Sequence, residues 1–290
     1  MVRHPVRLSV KLAVALLLSV AASAQPAPIA DDERRIAAAL GAVKPQRPGI
    51  ADAFLIVAAL DSDPVFAREA REAGPVLAKR FDADGRAIVL AEDEGGNRAD
   101  AAGTPANLSR ALARAAAMMD REEDILVLYT TSHGTPRAGL NYRHARHGAA
   151  VISPGQLSGM LAEHGFKNRL IILQACFSGQ FVPALASPRT VVATAASSMH
   201  SSFGCSADND WTFFGHALIN QAMRRADTFA RQFRRAVVTI IGWEKKLGIE
   251  PSNPQISVGS ETGPWLAALD ARAGAVPATP VGRPPSELGE

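Results

Sequence analysis

Two residues of this chain have the types and the placement to do covalent chemistry. His133 lies three positions beyond the apolar run "ILVLYT" (125 to 130), and Cys176 lies three positions beyond "LIIL" (170 to 173). A cysteine attacks as its thiolate, whose formation is favoured beside a histidine or at a helix N-terminus. The stretch "FSGQFVPAL" after Cys176 has the composition to begin such a helix. Acyl transfer also needs donors for a tetrahedral oxyanion, and backbone N–H groups supply them. Gly134, with no side chain to block approach, and the amide of Cys176 are the candidates. A disulfide between Cys176 and Cys205, the chain's two cysteines, is the structural alternative.

The elements that must hold this pair alternate along the chain. Apolar runs of strand length occur at 54 to 60, 87 to 90, 125 to 130, 170 to 173 and 190 to 196, with a last one at 255 to 258. Helical stretches at 64 to 80, 106 to 119 and 154 to 164 separate them, several opening on Pro, Asn or Ser, and residues 212 to 247 predict two more. Strands that are apolar throughout and separated by helices belong in a mostly parallel sheet covered on both faces, an α/β three-layer sandwich. Ligands bind such sheets beyond the carboxyl ends of the strands, where His133 and Cys176 both fall. The sequence has no internal repeat, no glycine-rich phosphate loop of the required spacing and no G-x-S-x-G elbow.

The first 24 residues read as a cleaved export signal. Arg3, Arg7 and Lys11 precede the apolar "LAVALLLSVAA", and Ala22-Ser23-Ala24 offers a small-x-small cleavage site. Residues 25 to 48 read as a lead-in, 49 to 262 as one domain, and the Ala-, Pro- and Gly-rich 263 to 290 as a disordered tail. The sequence carries 31 Lys+Arg against 28 Asp+Glu, and the three basic residues of the signal account for the excess. The balanced remainder argues against a nucleic-acid partner. Nothing calls for a metal or organic cofactor or, once the signal is removed, for stable membrane insertion. The oligomeric state is left open.

The strings "YTTSHGTP" and "QACFSG", whose His and Cys stand 43 residues apart, resemble the His-Gly and Ala-Cys-x-Ser-Gly pair of clan CD cysteine peptidases. Gly179, three residues after the cysteine rather than two, matches the legumain-like C13 family better than the caspases. "ATAASSMHSSFGCSADNDWTFFGHAL" (193 to 218) is similar to the legumain segment that forms the pocket for the residue before the cut bond. The resemblance implies a caspase-like fold over about 51 to 260, a peptide or protein substrate, His133 as base, Cys176 as nucleophile, and Ser201, Ser202 and Asp210 as pocket residues supported by Trp211. It also implies that Cys205 is unpaired.

The match is incomplete. Where legumains carry Asn-x-Arg-His after the first strand, this chain reads "VFAREA", so Arg68 keeps a pocket arginine while Phe66 and Glu69 stand for the Asn and the His. The string "NYRH" at 141 to 144 follows a different strand and reads as coincidence. Gln174 replaces a family glutamate two residues before the nucleophile. Arg68 facing Asp210 would offer one donor set and one acceptor set, which suits an asparagine amide. The implied activity is an endopeptidase working through a thioester. A transamidase using the same dyad and a non-catalytic peptide-binding module are the alternatives.

The other histidines point less sharply. His144 and His147 form an H-x-x-H with no third ligand at sensible spacing, and read as a basic loop. His164 suits a helix C-terminus, His200 lies near the implied pocket, and His216 has no evident partner. "RRADTFARQFRRAVVTIIGWEKK" is cationic and amphipathic, and reads as a core-facing stripe with a solvated face rather than a membrane surface.

Overall fold

The computed structural model describes residues 1–2, 27–94, 96 and 98–289. Apart from Met1 and Val2, the expected export signal lies outside the described residues. No helix among them is long and apolar enough to cross a membrane.

The chain begins with helix α1 (Ala27–Ala42), strand β1 (Ala53–Ala59), α2 (Pro64–Arg80), β2 (Ala87–Leu90), α3 (Pro105–Met118) and β3 (Ile125–Thr131). A small antiparallel unit follows, β4 (Gly134–Thr135), β5 (Gly139–His144) and β6 (Gly148–Ile152), then α4 (Pro154–Glu163), β7 (Asn168–Gln174), α5 (Val182–Leu185) and β8 (Thr190–Thr194). The last part holds α6 (Phe213–Gly215), α7 (Phe229–Leu247), β9 (Gln255–Val258) and α8 (Gly263–Ala271). The main sheet has the order β2-β1-β3-β7-β8-β9, parallel throughout except for the antiparallel edge strand β9. This is the α/β sandwich expected from the alternating pattern.

Every residue of β1 and β3 is buried, which is why these strands are apolar without alternation. Successive side chains still go to opposite faces. Leu55, Val57, Val127, Tyr129, Leu170 and Ile172 pack toward α2, α6 and α7, whereas Phe54, Ile56, Leu126, Leu128, Ile171 and Leu173 pack toward α1, α3 and α4. Helix starts are fixed locally. Thr104 Oγ1 accepts from the Asn107 amide at 3.0 Å, and Ser153 with Gln156 forms a reciprocal capping box before Pro154.

Four features differ from the expectations. The lead-in contains α1, whose Ile36 is fully buried and whose Asp32 accepts from the Ala102 amide (2.7 Å) and Asn107 Nδ2 (3.0 Å), so it belongs to the core. His144, expected with His147 in a basic loop, ends β5 of the antiparallel unit and is buried. The helix expected from residue 212 begins as α6 and continues as a π-helical turn, His216–Gln221, and a 3-10 turn, Ala222–Arg224. The tail makes specific contacts: Trp265 and Leu269 of α8 enter the core, and the Val281 carbonyl accepts from Trp211 Nε1 (2.8 Å) and Asn220 Nδ2 (2.9 Å). Two apolar anchors and main-chain bonds to buried partners fix a segment whose composition alone resembles a linker.

Candidate active site

Strands β3 and β7 are neighbours in register, Thr131 opposite Gln174, and the Ser132 amide continues the ladder to the Gln174 carbonyl at 3.1 Å. His133 and Cys176 therefore leave adjacent strands at the same level of the sheet edge. Gly134 brings the two backbones into contact, since a Cβ at this position would overlap the Cys176 carbonyl oxygen and crowd its amide nitrogen. Only glycine allows this approach, which sets the two expected oxyanion donors side by side.

The residues after Cys176 explain the rest of the motif. Phe177 adopts a left-handed conformation (φ 57°), and its amide donates to the His200 carbonyl at 2.9 Å. Ser178 Oγ accepts from the Ala196 amide at 3.2 Å, and the Gly179 amide donates to the Ala196 carbonyl at 2.9 Å. A Cβ on Gly179 would meet Ser198 N at 2.6 Å, so the glycine lets this turn close on the loop after β8. The expected helix is a 3-10 turn, Ser178–Phe181, leading into the four-residue α5, too short for a full macrodipole. Cys176 is half-buried, and its Sγ lies 3.3 Å from the Ser202 amide and 3.4 Å from the Ser202 carbonyl. Ser202 thus meets the sulfur through its backbone, while Ser201 beside it is exposed.

His133 has a partner that sequence reasoning missed. Its Nε2 is 2.7 Å from Asp63 Oδ2, and its ring stands edge-on to Phe66 with centroids 4.9 Å apart. A carboxylate oxygen accepts in this bond, so Nε2 is the nitrogen that donates, and in the neutral ring Nδ1 is the one without a proton. Asp63 is at the N-cap position of α2, but its carboxylate makes no capping bond and turns to the histidine instead. Arg143 fixes it from the other side, with Nη2 2.6 Å from Asp63 Oδ1 and 2.9 Å from Asp61 Oδ1. Asp63 lies just past the end of β1, and the pairing of β1 with β3 is what brings it to His133. The string "NYRH" is likewise part of the site: Arg143 holds Asp63, and the Asn141 amide donates to the His133 carbonyl at 2.9 Å. Ligand atoms of Asp61, Asp63 and His133 lie within 4.8 Å of one another, a spacing that would suit a cation, but Arg143 already bridges both carboxylates.

The implied specificity residues are arranged differently from expectation. Arg68 and Asp210 are neighbours at 3.8 Å, yet each is engaged elsewhere. Arg68 binds both oxygens of Glu94 and the Ala207 carbonyl (2.6 Å), while Asp210 accepts from the Arg283 amide (2.7 Å) and Nη2 (2.8 Å). They line a cleft of about 490 Å³ with Glu94 and Arg283, separate from the cleft of about 710 Å³ that contains His133, Gly134, Tyr142 and Arg143. Gln174 is 0% exposed, with Cys205 beside it and no nitrogen or oxygen partner for its amide among the described residues, so from this position it touches no ligand. Its place inside the sheet's last register pair buries it. Glu69 is not in a pocket either: it is fully buried, accepting from Tyr129 Oη, the Thr212 amide (2.7 Å) and Thr212 Oγ1 (2.8 Å). Burial raises its carboxyl above the ordinary range.

Cys176 and Cys205 are both free. Burial pushes the Cys205 thiol far up, with the neighbouring Cys176 adding to it, so Cys205 is held protonated. His216 lies in the core, with Nδ1 accepting from Asn220 Nδ2 at 3.0 Å and its ring stacked on Trp243. Burial lowers its pKa to about 4. His144 is lowered to about 4 as well, by burial and then by His147, whose ring lies 4.6 Å away.

A parallel sheet whose neighbouring strand ends present a cysteine, a histidine and a carboxylate on that histidine is the framework of a caspase-like α/β protein. The Peptidase C13 family model matches residues 104–263, more than half of the chain, and the chain belongs to this family. Among curated proteins, sequence comparison finds no significant match. The matched span includes β3, β7, β8 and the loop to Trp211, but not β1 or α2. The expected resemblance from residue 51 thus narrows, and the excluded stretch is the one in which Asp63 was missed. Membership implies a cysteine peptidase acting on protein substrates.

Proposed function

We propose that this chain is an exported cysteine endopeptidase with Cys176 as nucleophile and His133 as base. The observation that carries the reading is the placement of both residues past adjacent, in-register strands, with Asp63 bonded to His133 Nε2. His133 Nδ1 takes the thiol proton as Cys176 Sγ attacks the scissile carbonyl. The Gly134 and Cys176 amides face the oxyanion. Collapse breaks the C–N bond, His133 returns the proton to the leaving amine, and a thioester on Cys176 remains. Water, activated by the same histidine, then releases the acid and restores the thiol. An amine in place of water would make the site a transamidase.

Asparagine before the cut bond is the preferred substrate residue in this reading. It requires Asp210 to exchange Arg283 for the substrate amide, with Arg68 and the Ser201–Ser202 backbone alongside. The closed state of Arg68 and Asp210 is what a non-catalytic module would also show, and one experiment separates the two. Protein lacking residues 1–24 is incubated with fluorogenic peptides carrying Asn, Asp, Arg or Lys before the bond, from pH 4 to 8, beside Cys176→Ala. Turnover that vanishes in Cys176→Ala, and is greatest for Asn, is expected; turnover absent in both proteins overturns the enzyme reading. Export is tested by N-terminal sequencing of protein recovered outside the cytoplasm, where Gln25 is the expected first residue.

A further inference from the structure

Away from the sheet edge, a groove of about 510 Å³ runs between α7 and the segment 217–225. Arg231, Arg234 and Arg235 line it from α7, and Arg225 lines the opposite wall. One carboxylate, Asp227, serves this group, lying 3.6 Å from Arg231 and 3.4 Å from Arg235. Arg225 and Arg234 have no acidic partner among the described residues. Val238, 71% exposed, lies farther along the same wall, followed by Ile241 at 52%. The core-facing side of α7 carries Phe229, Phe233, Ala236 and Ile240, so the exposed stripe is not needed for folding. A chain with a formal net charge of only +3 has therefore gathered four guanidinium groups around one trough and set aliphatic side chains beside them.

We propose that this groove docks an extended, acidic polypeptide segment with interspersed aliphatic residues. The guanidinium fork pairs with carboxylates in two-point geometry and is weakly hydrated, which favours it over lysine for such contacts. Opposed walls distinguish the trough from a membrane-binding face, in which basic and apolar side chains would share one plane. From Arg231 to Ile241 the helix rises about 15 Å, the length of four or five residues of extended chain at about 3.3 Å each. Carboxylates of the segment would meet Arg225, Arg231, Arg234 and Arg235, and an aliphatic residue would cover Val238.

The test uses the full chain and fluorescein-labelled peptides of alternating Glu and Leu, or Gln and Leu, read by fluorescence anisotropy. The Glu peptide is expected to bind saturably and to weaken about tenfold or more when salt rises from about 0.05 to 0.3 M. Arg225→Glu/Arg234→Glu is expected to weaken it at least about tenfold, and the Gln/Gln variant, which keeps the test valid if charge reversal disturbs folding, by less. Cys176→Ala should bind as the parent does, which separates this proposal from the peptidase reading. Equal binding of the Gln peptide, unchanged affinity in both arginine variants, or retention on phosphatidylglycerol vesicles without peptide binding would overturn it.

Discussion

Asp63 Oδ2 lies 2.7 Å from His133 Nε2, and the same carboxylate is held from its other side by Arg143. The imidazole is thereby held through Nε2 in one orientation. Removing the carboxylate in Asp63→Ala should lower kcat by about 10²-fold, the lower end of what a positioned acid–base group contributes. Asp63→Asn keeps an acceptor for the Nε2 proton and should retain more activity. A role confined to stability predicts instead equal losses for both variants and an unshifted pH–rate profile.

Gly134→Ala places a methyl group on the Cys176 carbonyl. Displacing that backbone disturbs the amide pair expected to face the oxyanion, and loss of one such donor costs about 10²- to 10³-fold in kcat. Steady-state kinetics with circular dichroism to verify folding tests this, and retention of more than a tenth of parental activity would remove Gly134 from the account.

The pH dependence of stability has a defined sign. His216 and His144 have folded pKa values lowered to about 4 from the ordinary 6.5, so the unfolded chain takes up protons first. Their contribution is complete above pH 6.5 and is lost as pH falls toward 4, by up to about 3 kcal/mol for each residue. Glu69, raised by burial, and Glu92, raised by burial beside His144, act in the opposite direction. Chemical denaturation at pH 7, 5.5 and 4 should show the fall for the parent and a shallower one for His216→Gln.

Arg283 covers Asp210. Burial pushes the Asp210 carboxyl upward, but the Arg283 hydrogen bonds and charge outweigh it and hold the group below its ordinary 3.8. The contact is therefore complete above pH 4 and is lost only as pH falls through a lower value. Arg283→Ala should lower KM for Asn or basic substrates with little change in kcat, whereas an unaltered KM would mean that Asp210 does not meet substrate.

The sheet and the places of His133 and Cys176 at its edge were legible because continuous apolar runs mark buried strands and the residue just past each run is named by position. Asp63 was not legible in "DSDP", where it reads as a turn residue and a helix cap. Its use depends on β1 pairing with β3, a contact between segments some 70 positions apart. Gln174 illustrates the converse: motif position suggested a pocket residue, while strand register buries it. The contacts of the tail were not legible because composition reports the mean character of a segment, and Trp265, Leu269 and the Val281 main chain act singly.

The central claim, a reactive Cys176 activated by His133, is tested most directly by labelling with a peptidyl acyloxymethyl ketone followed by peptide mapping. One adduct on Cys176 is predicted, none on Cys205, whose buried thiol is held protonated, with labelling at least about tenfold slower in His133→Ala. An adduct on Cys205, or labelling of Cys176 at the same rate without His133, would contradict it.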